Sequence, residues 1–417
     1  MAVLLWCFTR LGLLVALFSV ESVVVGDLNY FRHSLAHLGS AGLAGTLVEY
    51  PVPAVGVVAF PWVLFAGHSG FVFGLAVMGL VLVTDAVFTW QLRRASRPGD
   101  AAPQLVWLLA VPALGAVTLA RFDILPGVLV GFMILAAARR PGLAGWALAV
   151  ATAVKLWPAL LLAPLLASVR RRSGVLTAFV VVGAVSVAAT VLLAGWPRVF
   201  SPLRYQSSRG LQIESLAATP AMLAGLTGLR NERIFYAASK SWEVSGAGTS
   251  GLLLATGLAS IGLVVFLAAL WWRCFRAPGA ARPDGLVWSV LAGVTGFVAL
   301  GRVFSPQYLL WLAPAAAAGL VVVDGSRRAL LRWSTGLLLV MVATHAIFPE
   351  LYRPLIEPSP WSPWIAVLLV VRNVGLGWLF LAAAHTAWRV AAPGPARRRE
   401  DGADVGHADL DVTGTPA

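Results

Sequence analysis

The 417-residue chain has little charge and little cysteine. Charged residues make up 12% of it and hydrophobic residues 59%, whereas a soluble domain is roughly a quarter charged. With a mean hydropathy of +0.83, this composition excludes an ordinary soluble domain. The two cysteines, Cys7 and Cys274, both lie in or beside apolar segments. They argue against a disulfide framework and against a thiolate metal site. The net charge of +13 comes without an RNP-like motif, zinc-ligand spacing or an aromatic-interleaved basic stretch, so nucleic acid is not an expected partner. The first twenty residues lack a small-residue cleavage site after their apolar run, which predicts an uncleaved first helix. No internal repeat and no heptad run are visible.

What the chain does have is a succession of apolar runs. A membrane span needs roughly 20 apolar residues. Spans are predicted near 3–22, 70–92, 103–119, 124–138, 142–154, 156–169, 174–194, 251–272, 286–301, 306–323, 329–347 and 361–386. The expected fold is all-α, a polytopic membrane protein with about twelve transmembrane helices. The pair 142–154 and 156–169 is too short to cross twice unaided, and one long crossing bent at Pro158 is an alternative. The stretch "PVPAVGVVAFPWVLFAG", residues 51–67, is short and carries three prolines. It suits a helix lying along the outer leaflet, or a re-entrant segment, better than a full span.

Arginines set the orientation. Arg93, Arg94 and Arg97, then Arg139 and Arg140, Arg170 to Arg172, Arg273 and Arg276, Arg327 and Arg328, and Arg389 with Arg397 to Arg399 all follow spans that end on one face. The positive-inside rule makes that face cytoplasmic and predicts a multi-pass protein of the cell membrane with both termini inside. Residues 1–390 then form the membrane domain, with outer-face loops at 23–69 and 195–250. Residues 391–417, polar and rich in Gly, Pro and Asp, are expected to be a disordered cytoplasmic tail.

Nearly every other charge that interrupts an apolar run falls on the opposite face. Asp27, in "VGDLNYF", fits an N-cap for the helix suggested by "LNYFRHSLAHLG". It equally fits a general base that takes a proton from an acceptor hydroxyl. Glu49, beside Tyr50 in "EYPVP", is either a solvated loop residue or a second carboxylate of the site. Arg121 and Asp123 in "LARFDILPG" read as a local ion pair, or Arg121 as a phosphate ligand. Lys155 in "ATAVKLWPALLLAP" is a lone cation between apolar helices, which is a functional signal unless the side chain snorkels. "SPLRYQSSRGLQIESLAATP" supplies Arg204, Arg209, Gln212 and Glu214 from a segment too apolar for a free linker. "GRVFSPQYLLWLAP" adds Arg302, Ser305, Gln307, Tyr308 and Trp311, of which Tyr308 and Trp311 also suit an interfacial aromatic belt.

Taken in order, "VGDLNYF", "VEYPVPAVGVVAFP", "RFDILPGVLVGFMILAAARR", "AGWALAVATAVKLWPALLLAP" and "FSPQYLLWLAP" resemble the integral-membrane glycosyltransferases of the GT-C class. The nearest resemblance is to glycosyltransferase family 87, the actinobacterial polyprenyl-phosphate-mannose-dependent α-mannosyltransferases. The resemblance implies a GT-C-like fold whose first-loop aspartate, here Asp27, lies at the catalytic centre on the extracytoplasmic side. It further implies a polyprenyl-phosphate sugar donor delivered from the bilayer and a lipid or glycan acceptor of the cell envelope. On this reading Glu49, Tyr50, Arg121, Asp123, Lys155, Arg209, Arg302, Gln307 and Tyr308 contact substrate. Lys155 first, then Arg121, Arg209 and Arg302, are the candidate cations for the leaving phosphate, so neither a metal nor a cofactor is expected. Another sugar such as arabinose, or a lipid-linked-sugar transporter, are the alternatives. A transporter of this size is expected to show inverted repeats and broken helices near the midplane, which the sequence does not display.

Overall fold

The structure is a computed structural model that describes residues 2–19, 21–65, 69–229, 232–276, 283–357 and 359–391. The tail expected to be disordered, and the arginines at 397–399, lie outside the described residues apart from Ala391. Helix α1 (Ala2–Ser19) leads into α2 (Gly26–Ala36), α3 (Leu38–Gly45) and α4 (Val52–Leu64), and then into α5 (Gly70–Ala95). Four short helices follow: α6 (Ala102–Leu114), α7 (Ile124–Ala136), α8 (Pro141–Val154) and α9 (Leu162–Ser168), the last preceded by a 3₁₀ turn at Trp157–Leu161. Beyond α10 (Arg172–Ala194) come α11 (Ser201–Ser207), α12 (Thr219–Leu226) and α13 (Thr249–Arg276). The described residues close with α14 (Pro283–Leu300), α15 (Ala313–Val322), α16 (Arg327–His345), α17 (Tyr352–Ile356) and α18 (Ser362–Val390). The protein is an all-α polytopic membrane protein.

Each of the twelve predicted runs is helical, but they fall into two classes. Among the described residues seven helices are long and apolar enough to cross a membrane: α1, α5, α10, α13, α14, the α16 helix with its extension to Glu350, and α18. The other five, at Ala102–Leu114, Ile124–Ala136, Pro141–Val154, Trp157–Ser168 and Pro306–Val322, are shorter. Thirteen helical residues, the length of α6 and of α7, rise only about 20 Å against a hydrocarbon core of about 30 Å. Short helices that start at one boundary therefore end inside the bundle.

The arginine-rich ends of the helices meet at one end of the molecule. Arg97 pairs with Asp324 at 2.5 Å and Arg327 pairs with Asp100 at 2.6 Å, which joins the α5–α6 turn to the α15–α16 turn. Arg139, Pro141, Ser168, Arg170, Pro283 and Val322 line one cavity at that same end. Since Pro141 and Ser168 begin and end the α8–α9 pair, that pair is a hairpin that reverses at Lys155. It is not the single crossing bent at Pro158; the chain turns through an extended Lys155 (φ −142°, ψ 138°) instead. Helices α6 and α7 form a second hairpin, with its tip at 115–123, and α14 and α15 a third, with its tip at 301–312. All three tips point away from the arginine-rich end.

The core lies where these hairpins pack. Every residue of α14 from Leu286 to Gly296 is buried, as is every residue of α15 from Ala313 to Leu320. Small residues allow this closeness. A side chain at Gly127 would lie 2.3 Å from the Leu310 carbonyl, and one at Gly145 would lie 2.6 Å from the Val175 backbone. Helices α1, α10 and α13 bury few residues and turn Leu4, Val185 and Val265, among others, outward. One buried ion pair fastens α1 to its neighbours. Arg10 Nε lies 2.7 Å from Asp85 Oδ2, and the indoles of Trp6 and Trp107 donate to the same carboxylate.

At the end opposite the arginines, the 195–250 segment folds over the hairpin tips. It carries a three-stranded antiparallel sheet that the sequence did not reveal: β1 (Leu211–Gln212), β2 (Arg233–Tyr236) and β3 (Trp242–Ser245), in the order β1–β3–β2. The 52–64 helix, α4, is short and prolyl, as its composition suggested, with Phe60, Val63 and Leu64 exposed.

Candidate active site

The three hairpin tips and the 195–250 segment enclose a cavity of about 850 Å³. Polar backbone at membrane depth is tolerated where it lines such a space. Asp27, Glu49, Tyr50, Arg121, Lys155, Arg209, Gln307 and Tyr308 all line it. Sequence positions spread over some 280 residues are thereby brought to one cavity.

Asp27 is not a helix cap. The residue before α2 that holds the cap position is Val25, and Asp27 stands in the first turn. A carboxylate there is favoured by the helix dipole, and its Oδ2 forms an ion pair with Arg121 Nη1. The Asp27 side chain keeps 28% of its surface exposed to the cavity. Burial pushes the Arg121 guanidinium down to about 10, against the opposing pull of nearby Asp123.

Arg121 and Asp123 are not each other's ion-pair partners, as a local reading of "RFD" would have them. They diverge across the tip of the α6–α7 hairpin, so that Asp123 turns inward to Lys155. The Lys155 ammonium lies 2.6 Å from Asp123 Oδ1, and Trp311 Nε1 donates to the same oxygen at 3.1 Å. Four rings, those of Tyr50, Phe122, Tyr308 and Trp311, surround the ammonium with centroids between 5.3 and 5.8 Å away. Lys155 is therefore held inside an aromatic box and does not snorkel to lipid. Tyr308 and Trp311 stack on each other at 4.2 Å, and Trp157 stacks on Trp311 at 4.9 Å. Tyr308 lines the cavity, and Trp311 and Trp157 are buried behind it, so these rings are not a lipid-facing belt.

Around this wall the remaining groups are tied into the fold. Glu49 accepts a hydrogen bond from the Tyr30 hydroxyl at 2.6 Å; burial, reinforced by that carboxylate, raises the Tyr30 phenol above its usual range. Gln307 accepts from Ser305 Oγ at 2.7 Å. Arg302 stands beside the cavity, donating to the carbonyls of Arg209 and Ser207 at 3.2 and 3.5 Å, and so braces the loop that carries Arg209. Asp123 stands behind Lys155 and is 2% exposed. Arg209 lines the cavity, and its Nε is buried without a hydrogen-bond partner.

Several lining residues were not singled out from the sequence. Tyr205, Tyr236, Lys240, Trp242 and Tyr352 line the cavity from the outer segments. Their only sequence signal was membership of loops placed on the active face. Glu214, buried at 1%, pairs with Arg372 at 3.4 Å. Burial raises its carboxyl to about 7, against the lowering pull of Arg372. Arg372 interrupts the 361–386 apolar run, and the intramembrane-charge signal that picked out Lys155 applied to it equally. For a metal, one trio among the described residues, Glu21, His345 and Glu350, brings three ligand atoms within 4.8 Å of one another. Glu21 is already engaged there by the Ala116 N–H at 2.9 Å and by His345 Nε2 at 3.2 Å.

This is a polar, charge-balanced cavity at one end of a membrane bundle. The comparison with protein families gives one match, to the model of glycosyltransferase family 87, over residues 48–306. The match takes in Glu49, Tyr50, Arg121, Asp123, Lys155, Arg209 and Arg302, and it begins after Asp27. No curated protein and no solved structure matches the chain. With more than half of its length matched, the chain belongs to glycosyltransferase family 87 and is a membrane-embedded glycosyltransferase.

Proposed function

We propose that the protein transfers a mannosyl residue from a polyprenyl-phosphate donor to an envelope glycolipid or glycan, on the extracytoplasmic face and with inversion. The observation that carries this reading is the position of Asp27. It is a partly exposed carboxylate in a polar cavity, at the end of the bundle away from the arginine clusters. The acceptor hydroxyl attacks the anomeric carbon, the bond from that carbon to the phosphate oxygen breaks, and its electron pair leaves with the polyprenyl phosphate. The hydroxyl proton passes to Asp27. Arg121 engages Oδ2, and a carboxylate has acceptor sites to spare on its other oxygen.

The leaving phosphate needs positive charge that carboxylates have not already neutralised. Lys155 is matched by Asp123 and Arg121 by Asp27. Among the described residues lining the cavity, Arg209 and Lys240 form no ion pair with a carboxylate, which supports a reading in which the phosphate binds on their side. Lys155 then holds Asp123 and the aromatic wall in place. Arginine suits the phosphate role because its planar fork matches phosphoryl oxygens.

The test is transfer of labelled mannose from polyprenyl-phosphate mannose by the purified full chain, with the anomeric configuration of donor and product read by NMR. Asp27→Asn keeps size and hydrogen bonding but loses basicity. The transfer rate is expected to fall by about 10²-fold or more, the scale of general-base catalysis. Asp27→Glu is also expected to lose activity, since it misplaces the charge. Near-normal transfer by Asp27→Asn would overturn the assignment and leave Glu49 as the next carboxylate to examine.

A further inference from the structure

The arginine-rich end of the molecule holds a cavity of its own, of about 600 Å³. It lies between the α7–α8 turn, the α9–α10 turn and the start of α14, and Arg139, Arg170 and Arg171 line it. Arginine as such is expected here, because basic residues hold a loop on the retained side of the membrane. Orientation asks only for charge, however. It needs neither a cavity nor the convergence of arginines from two separate turns.

The arginines at this end are of two kinds. Arg97 and Arg327 are neutralised by Asp324 and Asp100. Arg172 is tied into the fold, donating to the Leu166 carbonyl at 3.0 Å with its guanidinium 5.1 Å from the Phe275 ring. Arg139, Arg170 and Arg171 are exposed, and among the described residues none of the three forms an ion pair. No described carboxylate lines the cavity. Asp284, beside the lining residue Pro283, is engaged elsewhere, by the Ser326 N–H at 2.8 Å and by the Ser326 hydroxyl. Three like charges drawn to one space repel one another until an anion joins them.

The rest of the lining says which anion. Ile134, Leu286 and Val322 give the cavity an apolar floor, from which a soluble anion gains nothing. The two helices that leave its rim continue this character outward. Helix α8 exposes Leu143, Trp146 and Val150, an i, i+3, i+7 stripe, and α10 exposes Leu176 and Val180. The cavity thus sits at the ends of the helices, at headgroup depth, with surface for acyl chains directly beyond it.

We propose that this cavity binds the headgroup of an anionic phospholipid. Arg139 from one turn and Arg170 and Arg171 from the other hold its phosphate, whose oxygens match the planar guanidinium fork. Its acyl chains lie along the outward faces of α8 and α10. A basic pocket between membrane helices is a recurrent seat for such lipids. The site is separate from the Asp27 cavity and does not rest on the transfer reading.

The experiment titrates the delipidated full chain, in neutral detergent, with phosphatidylglycerol or phosphatidylcholine and counts retained lipid by native mass spectrometry. Phosphatidylglycerol is expected to bind about tenfold or more tightly than phosphatidylcholine, and to raise the unfolding temperature as a ligand of the folded state does. Arg139→Gln is expected to weaken its binding about fivefold, and Arg170→Gln with Arg171→Gln about twentyfold. Arg328→Gln removes the same charge from the same end but outside the cavity, and is expected to change nothing. Ala138→Trp keeps every arginine and places a large side chain in the lining. It is expected to lose the lipid too, which a diffuse attraction of charge would not do. Equal retention of the two lipids, retention indifferent to Arg139, Arg170 and Arg171, or full retention by Ala138→Trp each overturns the proposal. Displacement of the lipid by excess glycerol 3-phosphate also overturns it, in favour of a soluble phosphate. Should an arginine variant fail to fold, Ala138→Trp and the glycerol 3-phosphate competition decide.

Discussion

Asp27, Arg121, Asp123 and Lys155 form two crossed ion pairs where the sequence suggests one local pair and two lone charges. Arg121 and Asp123 are two residues apart, and a short tip with buried Phe122 between them sends their side chains to different partners. No spacing rule reads such an exchange, because it depends on the tip of a second hairpin arriving from residue 155. Glu214 offers a test at this scale. Its folded carboxyl is raised from the usual 4.5 to about 7, mainly by burial. The folded chain thus holds a proton that the unfolded chain gives up. The associated stability is full below about pH 4.5 and is lost as the pH rises through about 7. Thermal unfolding of the wild type in detergent is expected to shift downward between pH 5 and pH 8 by more than that of Glu214→Gln. Equal shifts in the two proteins would show that Glu214 does not set this dependence.

Element by element, the helices were legible because hydropathy marks them directly, while their function as reversals was not. Hydropathy places 142–154 and 156–169 as apolar runs, yet only packing decides whether the chain continues or turns back at Lys155. The three strands escaped notice because β1 has two residues and β2 and β3 four each, too few for an alternating pattern to register. Arg10 and Asp85 were similarly readable as charges but not as a pair, since 75 positions separate them. Their side chains are each 2% exposed. Removing one partner of such a pair strands a buried charge at a cost of roughly 3–5 kcal/mol, whereas replacing both by apolar groups can be nearly neutral. Asp85→Leu and Arg10→Leu are each expected to lower the unfolding temperature and the yield of purified protein, and the double substitution to restore much of both. Additive losses in the double variant would mean that the two residues act independently.

For the whole molecule, the separation of charge types gives the orientation its physical content. Arginines collect at the ends of α5, α7, α9, α13 and α18, and the hairpin tips that build the cavity lie at the opposite end. Lys and Arg bias is what retains a loop on the cytoplasmic side, so the cavity is expected outside. Single cysteines tested with a membrane-impermeant thiol reagent check this directly, once Cys7 and Cys274 are replaced by serine or alanine. Positions Gly26, Ser208 and Glu350 are exposed at the cavity end, and Arg94, Arg171 and Arg328 are exposed at the other. In intact cells the first three are expected to react, and the second three only after the membrane is permeabilised. The reversed pattern would put the cavity in the cytoplasm and exclude an extracytoplasmic transferase, while leaving the family assignment and the ion pairs as they are. A mixed pattern within one end would break the hairpin arrangement itself, because each tip requires both of its helices to start from the same side.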